Sequence, residues 1–392
     1  MDYVFVIGRN WELSVLELFS YLKSRKIKHE VFDVLDDYVR LDVDIKPSKV
    51  IKELAGTMKI GQLIAKFPKG SEIDTSILDR VVLYFGKKKS ISVGIDAYDC
   101  DKDFVLLIKD YVQQRMKEEK LKATFKWPRR GGAGVFSLLP SDTIKIIKEG
   151  FELVLIEDEK NFCVYNVVAA FDPHDFEFRD KSRPIQRPLH TISIRLAKIM
   201  INLAGAKAGD WLLDPFCGIG TILQEALLMG IEAVGMDSSK EVISFARKNL
   251  EWINKTYKPK LKYDLIYGDA KHLTKYVKEN SINAVVSEPY LGPFIKSLPN
   301  IEIAKETMAE LTEMYATVIA KISRVLVKGG TVAIIVPRLV ASGGRTVSMP
   351  FEQLLVGSGL SVFSMQEQIK IPILYAEERH KIERLIYVLK KE

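Results

Sequence analysis

The sequence predicts an α/β fold, with a parallel sheet in the C-terminal half and smaller α+β units before it. Three observations support this prediction. From about residue 191 onward, short apolar runs alternate with helical patterns, which is typical of a parallel sheet. Residues 1–170 carry shorter strand and helix patterns, and a stretch at 171–190 with several prolines and basic residues separates the two regions. The length of 392 residues allows two or three domains.

Residues 1–70 show the pattern of a small ferredoxin-like α+β unit. We expect an apolar strand at 3–7 and a half-buried strand at 39–43, where apolar and polar residues alternate. Ser14 and Glu17 have the spacing of a capping box, so a helix is expected to begin there. A second helix, at 49–54, and a strand at 60–67 complete the unit.

Residues 71–170 continue the α+β pattern. Strands are expected at 91–95, 154–156 and 162–167, because these runs are apolar and short. Helical spacing of apolar residues predicts a helix at 104–120. A further helix is expected at 141–150, with Ser141 or Asp142 as its cap.

The segment 115–130 is the most basic part of the chain, with seven lysines or arginines and two acidic residues. Phe125 and Trp127 lie among these bases, and a glycine-rich run follows. Such a mixture suits phosphate contacts combined with base stacking, although a solvated helix face is the simpler interpretation. The candidate RNA contacts are Lys122, Lys126, Trp127, Arg129 and Arg130, together with Arg183 and Arg187 of the linker.

The predicted parallel strands of the C-terminal half are short and are separated by helical segments. They are expected at 211–213, 233–236, 264–267, 284–286 and 331–336. The runs 369–374 and 384–389 are expected to pair as an antiparallel hairpin at a sheet edge, where Pro372 is tolerated.

Composition excludes several classes of protein. The three cysteines are far apart and form no CxxC pair, so neither a disulfide framework nor a zinc site is expected. No apolar run reaches the roughly 18 residues of a membrane helix. The first residues carry no basic segment, so a secretory signal is not expected and the default location is the cytoplasm. The net charge of +7 permits a nucleic-acid partner without requiring one.

The strongest motif lies between the first strand and the first helix of the C-terminal half. Its candidate ligand-binding residues are Asp214, Phe216, Gly218, Gly220 and Thr221. The glycines allow the backbone to approach a ligand, and the helix N-terminus presents unpaired N–H groups. No Gly-Lys-Ser/Thr follows, so the motif is not a phosphate-binding P-loop. It also lacks the third glycine of the dinucleotide-binding pattern, and Asp214 would repel a phosphate.

Two further aspartates lie in register with this turn. Asp237 ends the next strand, where a carboxylate can hold ribose hydroxyls, and Ser238 follows it. Asp269, next to Ala270, follows the third strand, where a carboxylate can accept from an adenine amino group. A single aspartate at such a place is usually a helix cap. Three at successive strand ends predict a ligand site, because open α/β sheets bind ligands at that edge.

The fourth predicted strand ends in Ser287-Glu288-Pro289-Tyr290. This sequence is similar to the [Asp/Asn/Ser]-Pro-Pro-[Tyr/Phe] motif of amino-group methyltransferases. With the acidic turn before it, the region resembles a class I S-adenosylmethionine-dependent methyltransferase. The order of the motifs resembles the family of tRNA guanosine N2-methyltransferases. Segments 8–14 and 54–60 resemble the start of that family, and residues 75–168 resemble a THUMP domain, an RNA-binding module.

The resemblance implies four segments: a ferredoxin-like domain at 1–70, a THUMP domain at 71–170, a linker at 171–190 and a Rossmann-like methyltransferase domain at 191–392. It implies S-adenosylmethionine as cofactor, with no metal, and methylation of a guanosine N2 in tRNA, with position 10 as a candidate. tRNA is then the expected partner. Some relatives require a small activating protein, which leaves such a partner open. A monomer or weak dimer is expected.

The same resemblance implies roles for the residues of the Ser-Glu-Pro-Tyr motif. Ser287 Oγ and the backbone carbonyl of Glu288 or Pro289 would accept hydrogen bonds from the target amine. Tyr290 would stack on a base that has been turned out of the helix. We also consider that Glu288, where the family has proline, accepts from a second donor of the base; a purely structural Glu288 is the alternative.

Two other functions are compatible with the sequence. The first is an amino methyltransferase for DNA or another RNA, acting on adenine N6 or cytosine N4, because serine at position 287 occurs in some DNA enzymes. The second is a catalytically silent RNA-binding homologue, which only Glu288 favours. The N-terminal RNA module argues against the first, and the three aspartates argue against the second.

Overall fold

The computed structural model describes residues 1–85, 90–126, 138–186, 192–259, 262–293, 297–364, 366, 368–375 and 382–392. It divides into two compact units. The N-terminal unit contains 1–15 and 27–177, and the C-terminal unit contains 16–26 and 178–392.

The first part of the chain forms eight strands. They are β1 (Asp2–Ile7), β2 (His29–Val34), β3 (Tyr38–Val43), β4 (Thr57–Pro68), β5 (Ser90–Tyr98), β6 (Lys122–Lys126), β7 (Phe151–Glu157) and β8 (Asn161–Ala170). The helices of this part are α1 (Trp11–Ser24), α2 (Pro47–Glu53), α3 (Asp79–Val82), α4 (Lys102–Glu118), α5 (Pro140–Glu149) and α6 (Pro173–Ser182).

One sheet joins all eight strands, in the order β2-β3-β1-β4-β8-β7-β5-β6. The pairs β5·β6 and β5·β7 are parallel, and the others are antiparallel. The antiparallel pair β4·β8 connects strands from both of the segments 1–70 and 71–170. The division at residue 70 stays a prediction, as do the identities of the two domains.

The second part of the chain forms a mainly parallel sheet. Its strands are β9 (Trp211–Asp214), β10 (Glu232–Asp237), β11 (Tyr263–Tyr267), β12 (Ile282–Ser287), β13 (Leu326–Val340), β14 (Thr346–Ser348), β15 (Leu360–Val362), β16 (Ile373–Tyr375) and β17 (Ile382–Lys391). Its helices are α7 (Ile194–Leu203), α8 (Thr221–Leu228), α9 (Lys240–Tyr257), α10 (Ile301–Val325) and α11 (Phe351–Leu354).

The strand order β11-β10-β9-β12-β13-β17-β15 reverses direction in sequence between β9 and β12. The strands from β11 to β13 are parallel, whereas β17 is antiparallel to both β13 and β15. An apolar core of strand and α10 side chains, among them Leu213, Val285 and Ile319, is fully buried. The predicted α/β fold is therefore confirmed, with its parallel strand ends on one edge beside the reversal point, where such sheets bind ligands.

Two predicted helix starts were wrong. Helix α1 begins at Trp11, and Ser14 is a buried residue inside it whose hydroxyl donates to the carbonyl of Asn10. Helix α5 begins at Pro140 after Leu139, because proline suits the first turn of a helix. The stretch 171–190 contains helix α6, and its role as a linker stays a prediction. The predicted C-terminal antiparallel pairing forms, but β16 contributes only Ile373–Tyr375 to it.

Candidate active site

The turn after β9 is held by backbone hydrogen bonds that leave its outer side open. The N–H of Cys217 donates to the carbonyl of Met236 at the end of β10, at 2.8 Å. The N–H of Gly220 donates to the carbonyl of Cys217, also at 2.8 Å. Gly218 and Gly220 have φ angles of +51° and +86°, which suit glycine best. A Cβ atom at Gly218 would meet no other heavy atom within 4 Å, so the backbone there is accessible to a ligand.

Asp237 connects this turn with the end of β10. Its Oδ2 accepts from the N–H of Gly218 at 3.2 Å, and its Oδ1 accepts from the N–H of Ser239 at 2.9 Å. The side chain is half-buried, so part of the carboxylate still faces outward, and Ser238 is exposed. Both oxygens keep a lone pair that can accept from ligand hydroxyls.

Asp269 lies after β11, the neighbouring strand. It is exposed and caps a short 3₁₀ turn, with Oδ1 accepting from the N–H of Lys271 at 2.9 Å. Ala270 is buried beneath it. The N–H of Gly268 donates to the carbonyl of Asp237 at 3.0 Å, which keeps the two strand ends together. A capping role accounts for one Asp269 oxygen and leaves the other available.

Asp214 and Ser287 meet where β9 and β12 end. Both are buried, and Ser287 Oγ donates to Asp214 Oδ1 at 2.7 Å. The same oxygen accepts from the N–H of Phe216, a partly buried residue of the turn, at 3.1 Å. Burial raises the pKa of Asp214 to about 7; the negative charges of Asp237 and Glu288 add to the shift, and these two hydrogen bonds oppose it. Because Ser287 gives its proton to Asp214, its lone pairs can accept from another donor.

The residues after Ser287 form the mouth of this site. Pro289 is buried, whereas Tyr290 is 55% exposed and can present its ring to a planar ligand. Glu288 forms an ion pair with Arg384 of β17, with 2.6 Å between Oε1 and Nε. Because Glu288 is already paired with an arginine of the same unit, the structure favours the structural interpretation of this residue over a contact with the base.

Two polar residues support the turn and were not predicted to do so. Asn249 of α9 is fully buried, and its amide nitrogen donates to the carbonyls of Ile219 and Ile185 at 3.0 and 3.2 Å. Its position on the apolar face of an amphipathic helix is the sequence signal that could have found it. Arg183 is also buried, and its guanidinium donates to Thr221 Oγ1 at 2.9 Å and to Asp180 at 3.0 Å.

The predicted RNA contacts are only partly described. Lys122 is exposed on β6, and Lys126 pairs with Asp142 at 2.6 Å. Trp127, Arg129, Arg130 and Arg187 lie outside the described residues. The buried Arg183 is engaged with Thr221, so its surroundings favour a structural role over the predicted phosphate contact.

The arrangement at the strand ends fits a nucleoside-type ligand that donates hydrogen bonds. The carboxylates of Asp237 and Asp269 lie at the ends of the neighbouring strands β10 and β11, and the open glycine turn and the N-terminus of α8 follow β9, the next strand of the sheet. These acceptors suit hydroxyl and ammonium groups and disfavour phosphates. Within the described residues, no group of three or more His, Cys, Asp or Glu is arranged to hold a metal ion. No helix in the described ranges is both long and apolar enough to cross a membrane.

Two protein families match the sequence. A family described as "RMKL-like, methyltransferase domain" matches residues 181–341, which include β9 to β12 and the site. A family described as "DNA methylase" matches residues 82–248.

Three archaeal relatives are similar to the chain. A tRNA (guanine(10)-N2)-dimethyltransferase of Methanocaldococcus jannaschii is 27% identical over 76% of this chain and 83% of the relative. The enzyme of the same name from Methanothermobacter thermautotrophicus is 32% identical over 47% of the chain, which spans about half (49%) of that relative. A probable tRNA (guanine(10)-N2)-dimethyltransferase of Methanothermococcus thermolithotrophicus is 32% identical over 28% of the chain and 67% of the relative.

The fold also resembles a solved structure along its whole length. The crystal structure of TrmN from Thermus thermophilus matches with a TM-score of 0.53 and 15% identity, covering 100% of both chains. At this identity the match concerns the fold alone.

Proposed function

We propose that this chain, which belongs to the family of tRNA (guanine-N2) methyltransferases, transfers a methyl group from S-adenosylmethionine to the exocyclic amine of a guanosine in tRNA. Position 10 is the expected nucleotide, because the relatives' names specify it. One observation carries the proposal: the hydrogen bond from Ser287 Oγ to Asp214 joins the turn after β9 to the Ser-Glu-Pro-Tyr segment.

The residues at the strand ends would hold the cofactor. Asp237 would accept hydrogen bonds from the ribose hydroxyls, and Asp269 would accept from the adenine amino group. The open turn at Gly218 and the N-terminus of α8 would face the remaining part of the cofactor. When bound, S-adenosylmethionine supplies an electrophilic methyl group on its sulfonium.

Ser287 and Tyr290 would orient the target base. An exocyclic amine is a poor nucleophile, because its lone pair is delocalised into the ring. Ser287 Oγ, which is held by Asp214, accepts from one amine N–H and thereby keeps the nitrogen lone pair directed toward the methyl group. Tyr290 stacks on the base. Positioning of this kind can contribute several kcal/mol to the rate.

The N-terminal unit would bind the tRNA. Lys122 is exposed on the edge strand β6, within the basic and aromatic segment 115–130 of the sequence. Lysine contacts with phosphates give affinity without sequence specificity. The choice of nucleotide would then depend on how this unit presents the tRNA to Ser287 and Tyr290.

The test is transfer of a labelled methyl group to unmodified tRNA, followed by mass spectrometry of the nucleosides. We expect N2-methylguanosine or its dimethyl form. The control substrate is the same tRNA with adenosine in place of the guanosine at position 10, which should remain unmethylated at that site. Ser287→Ala should lower kcat about 100-fold with little change in S-adenosylmethionine affinity. Guanosine methylation that survives the position 10 replacement would contradict the position, and a different methylated base would contradict the substrate.

A second candidate is methylation of adenine N6 or cytosine N4 in DNA or another RNA. The match of residues 82–248 to a DNA methylase family favours it. The same assay with single-stranded and duplex DNA distinguishes the two, since it would yield N6-methyladenine or N4-methylcytosine. Cofactor binding without any methylated product would instead favour a silent homologue or a missing activating partner.

A further inference from the structure

Glu288 occupies the second position of the Ser-Glu-Pro-Tyr segment, next to the buried Ser287. Its side chain is 13% exposed and that of Arg384 is 14% exposed, so the ion pair between them is largely removed from water. The separation of 2.6 Å between Oε1 and Nε is that of a strong charge-assisted hydrogen bond. A pair in such surroundings is screened less than a surface pair.

Arg384 reaches this segment from a different part of the sheet. It lies on β17 opposite Pro337 of β13, while Ser287 lies on β12 beside Ile334 of β13. The ion pair therefore spans β13 and connects the segment after β12 with strand β17, on the other side of β13. At Arg384, strand β17 has antiparallel partners on both sides, Pro337 of β13 and Tyr375 of β16, so its backbone there is held from two directions.

We propose that Arg384 is a positioning residue that fixes the Ser-Glu-Pro-Tyr segment through Glu288. Proline at position 288 would restrict the backbone directly, because its ring fixes φ. Glutamate leaves φ free and adds side-chain rotations, so the same rigidity needs an outside contact. Arg384 provides that contact and also cancels the charge of Glu288, which would otherwise repel an approaching RNA phosphate backbone.

The expected consequence concerns the rate more than binding. If the segment moves, Ser287 and Tyr290 lose their alignment with the amine, whereas Asp237 and the glycine turn stay in place. Catalysis is sensitive to such displacements, since an error of about 1 Å can cost about 100-fold. This consequence for catalysis rests on the proposed function, but the restriction of the segment itself does not.

The main test is a double-mutant cycle with Glu288→Gln, Arg384→Gln and the double variant. We expect each single change to lower kcat on tRNA about tenfold, with KM for S-adenosylmethionine changed less than about twofold. The double variant should be no slower than the slower single variant, because both changes break the same contact. Arg384→Lys should be intermediate, since lysine keeps the charge without the planar geometry.

Arg338 offers a matched control. It pairs with Glu383 of β17 at 2.5 Å, one residue along the same strand pair. Among the described residues, no hydrogen bond or ion pair joins it to the Ser-Glu-Pro-Tyr segment. Arg338→Gln should leave kcat within about twofold of the unmodified protein. Equal losses in Arg338→Gln and Arg384→Gln would overturn the proposal, because they would indicate a general effect on the sheet. Multiplying effects of Glu288→Gln and Arg384→Gln would overturn it as well.

Hydrogen–deuterium exchange separates this inference from the proposed function. Peptides covering 287–293 should exchange faster in Arg384→Gln than in Arg338→Gln, whether or not tRNA is the substrate. Unchanged exchange in Arg384→Gln would overturn the positioning role even if tRNA is methylated. Faster exchange in a protein that methylates no tRNA would support the positioning role and reject the proposed substrate.

Discussion

Each of the two units buries a carboxyl group with a raised pKa, but the surroundings differ. In the N-terminal unit, Glu152 lies with Asp96 around Lys59, and all three side chains are fully buried. Burial raises the pKa of Glu152, although the attraction of Lys59 opposes the shift. In the C-terminal unit, Asp214 is equally buried, but among the described residues it has only a hydroxyl and a backbone N–H as partners.

The difference separates a structural site from a functional one. The charge of a buried carboxylate beside a cation is compensated, and such a pair contributes mainly to the specificity of packing. A buried carboxyl without a cation costs stability when it ionises, so its retention is best explained by a ligand or a reaction at that place. Asp214 lies at the strand-end edge where such sheets bind ligands, whereas Lys59 lies in the interior of the N-terminal sheet.

The largest effect is expected from breaking the balanced cluster. Lys59→Met removes the ammonium group that pairs with both Asp96 and Glu152, and leaves these two buried carboxyl groups without that cation. We expect the free energy of unfolding to fall by about 3–5 kcal/mol, measured by urea titration at pH 7.5.

The matched control for that prediction is Lys69→Met. Lys69 pairs with Glu157 at 2.6 Å in the same unit, but the two side chains are 35% and 24% exposed. Its removal should cost less than about 1 kcal/mol. Similar losses for the two variants would mean that removing the cation of the buried Lys59 cluster costs no more than removing one of a partly exposed pair, which contradicts the role of burial in this comparison.

The next effect concerns ligand binding in the C-terminal unit. Asp237→Asn replaces one of the two acceptor oxygens with a donor and removes the charge. We expect the affinity for S-adenosylmethionine to fall about 100-fold, since two charged hydrogen bonds contribute about 3 kcal/mol. Calorimetry measures this, with Asp264→Asn on the exposed side of β11 as the control expected within about twofold. Equal affinities in the two variants would contradict the ribose-binding role.

Much of this site could be predicted from the sequence, because its elements are local. Asp214, Asp237 and Asp269 each follow a short apolar run, and parallel strands bring their carboxyl ends to one edge. The position of each aspartate at the end of its own strand is readable from the local sequence, and the parallel pairing of β9, β10 and β11 then brings these strand ends together.

The remaining features depend on contacts that are distant in sequence. Glu288 and Arg384 are 96 residues apart, so no periodicity relates them. The start of α1 was misplaced because Ser14 resembles a cap, whereas its small size is what the fold requires. A Cβ atom on Gly56 would lie 2.6 Å from Ser14, which shows how closely the two backbones approach.

A smaller effect should appear in the pH dependence of stability. The pKa of Asp214, about 7 in the folded protein, lies above its ordinary value of 3.8. Between these values the folded form keeps a proton that the unfolded form has lost, so the unfolding free energy falls as pH rises and levels off above pH 7. Asp214→Asn removes this pH-dependent decrease in the unfolding free energy, because asparagine does not ionise. The variant should be more stable than the unmodified protein at pH 8, by no more than about 4 kcal/mol at about 1.4 kcal/mol per pKa unit, and the gain should vanish near pH 4.

The Asp214→Asn variant should also show whether the gain in stability is accompanied by a loss of activity, as expected for a functional site. The more stable Asp214→Asn variant should be a slower methyltransferase, because asparagine does not hold Ser287 with a charge. A variant that is less stable at pH 8 would show that the Asp214 carboxylate is compensated in the folded protein. The distinction from the Lys59 cluster would then fail.

The smallest effect separates two lysines on the same strand of the N-terminal unit. Lys122 is exposed, whereas Lys126 is partly buried and paired with Asp142. If β6 contacts tRNA, Lys122→Ala should weaken binding about threefold at 0.1 M salt and lower the salt slope by about 1, because one phosphate contact is lost. Lys126→Ala should change the slope less, since its charge is already balanced by Asp142. A larger effect at Lys126 would mean that the ion pair opens when tRNA binds, and that the charge of this unit is used for recognition as well as for stability.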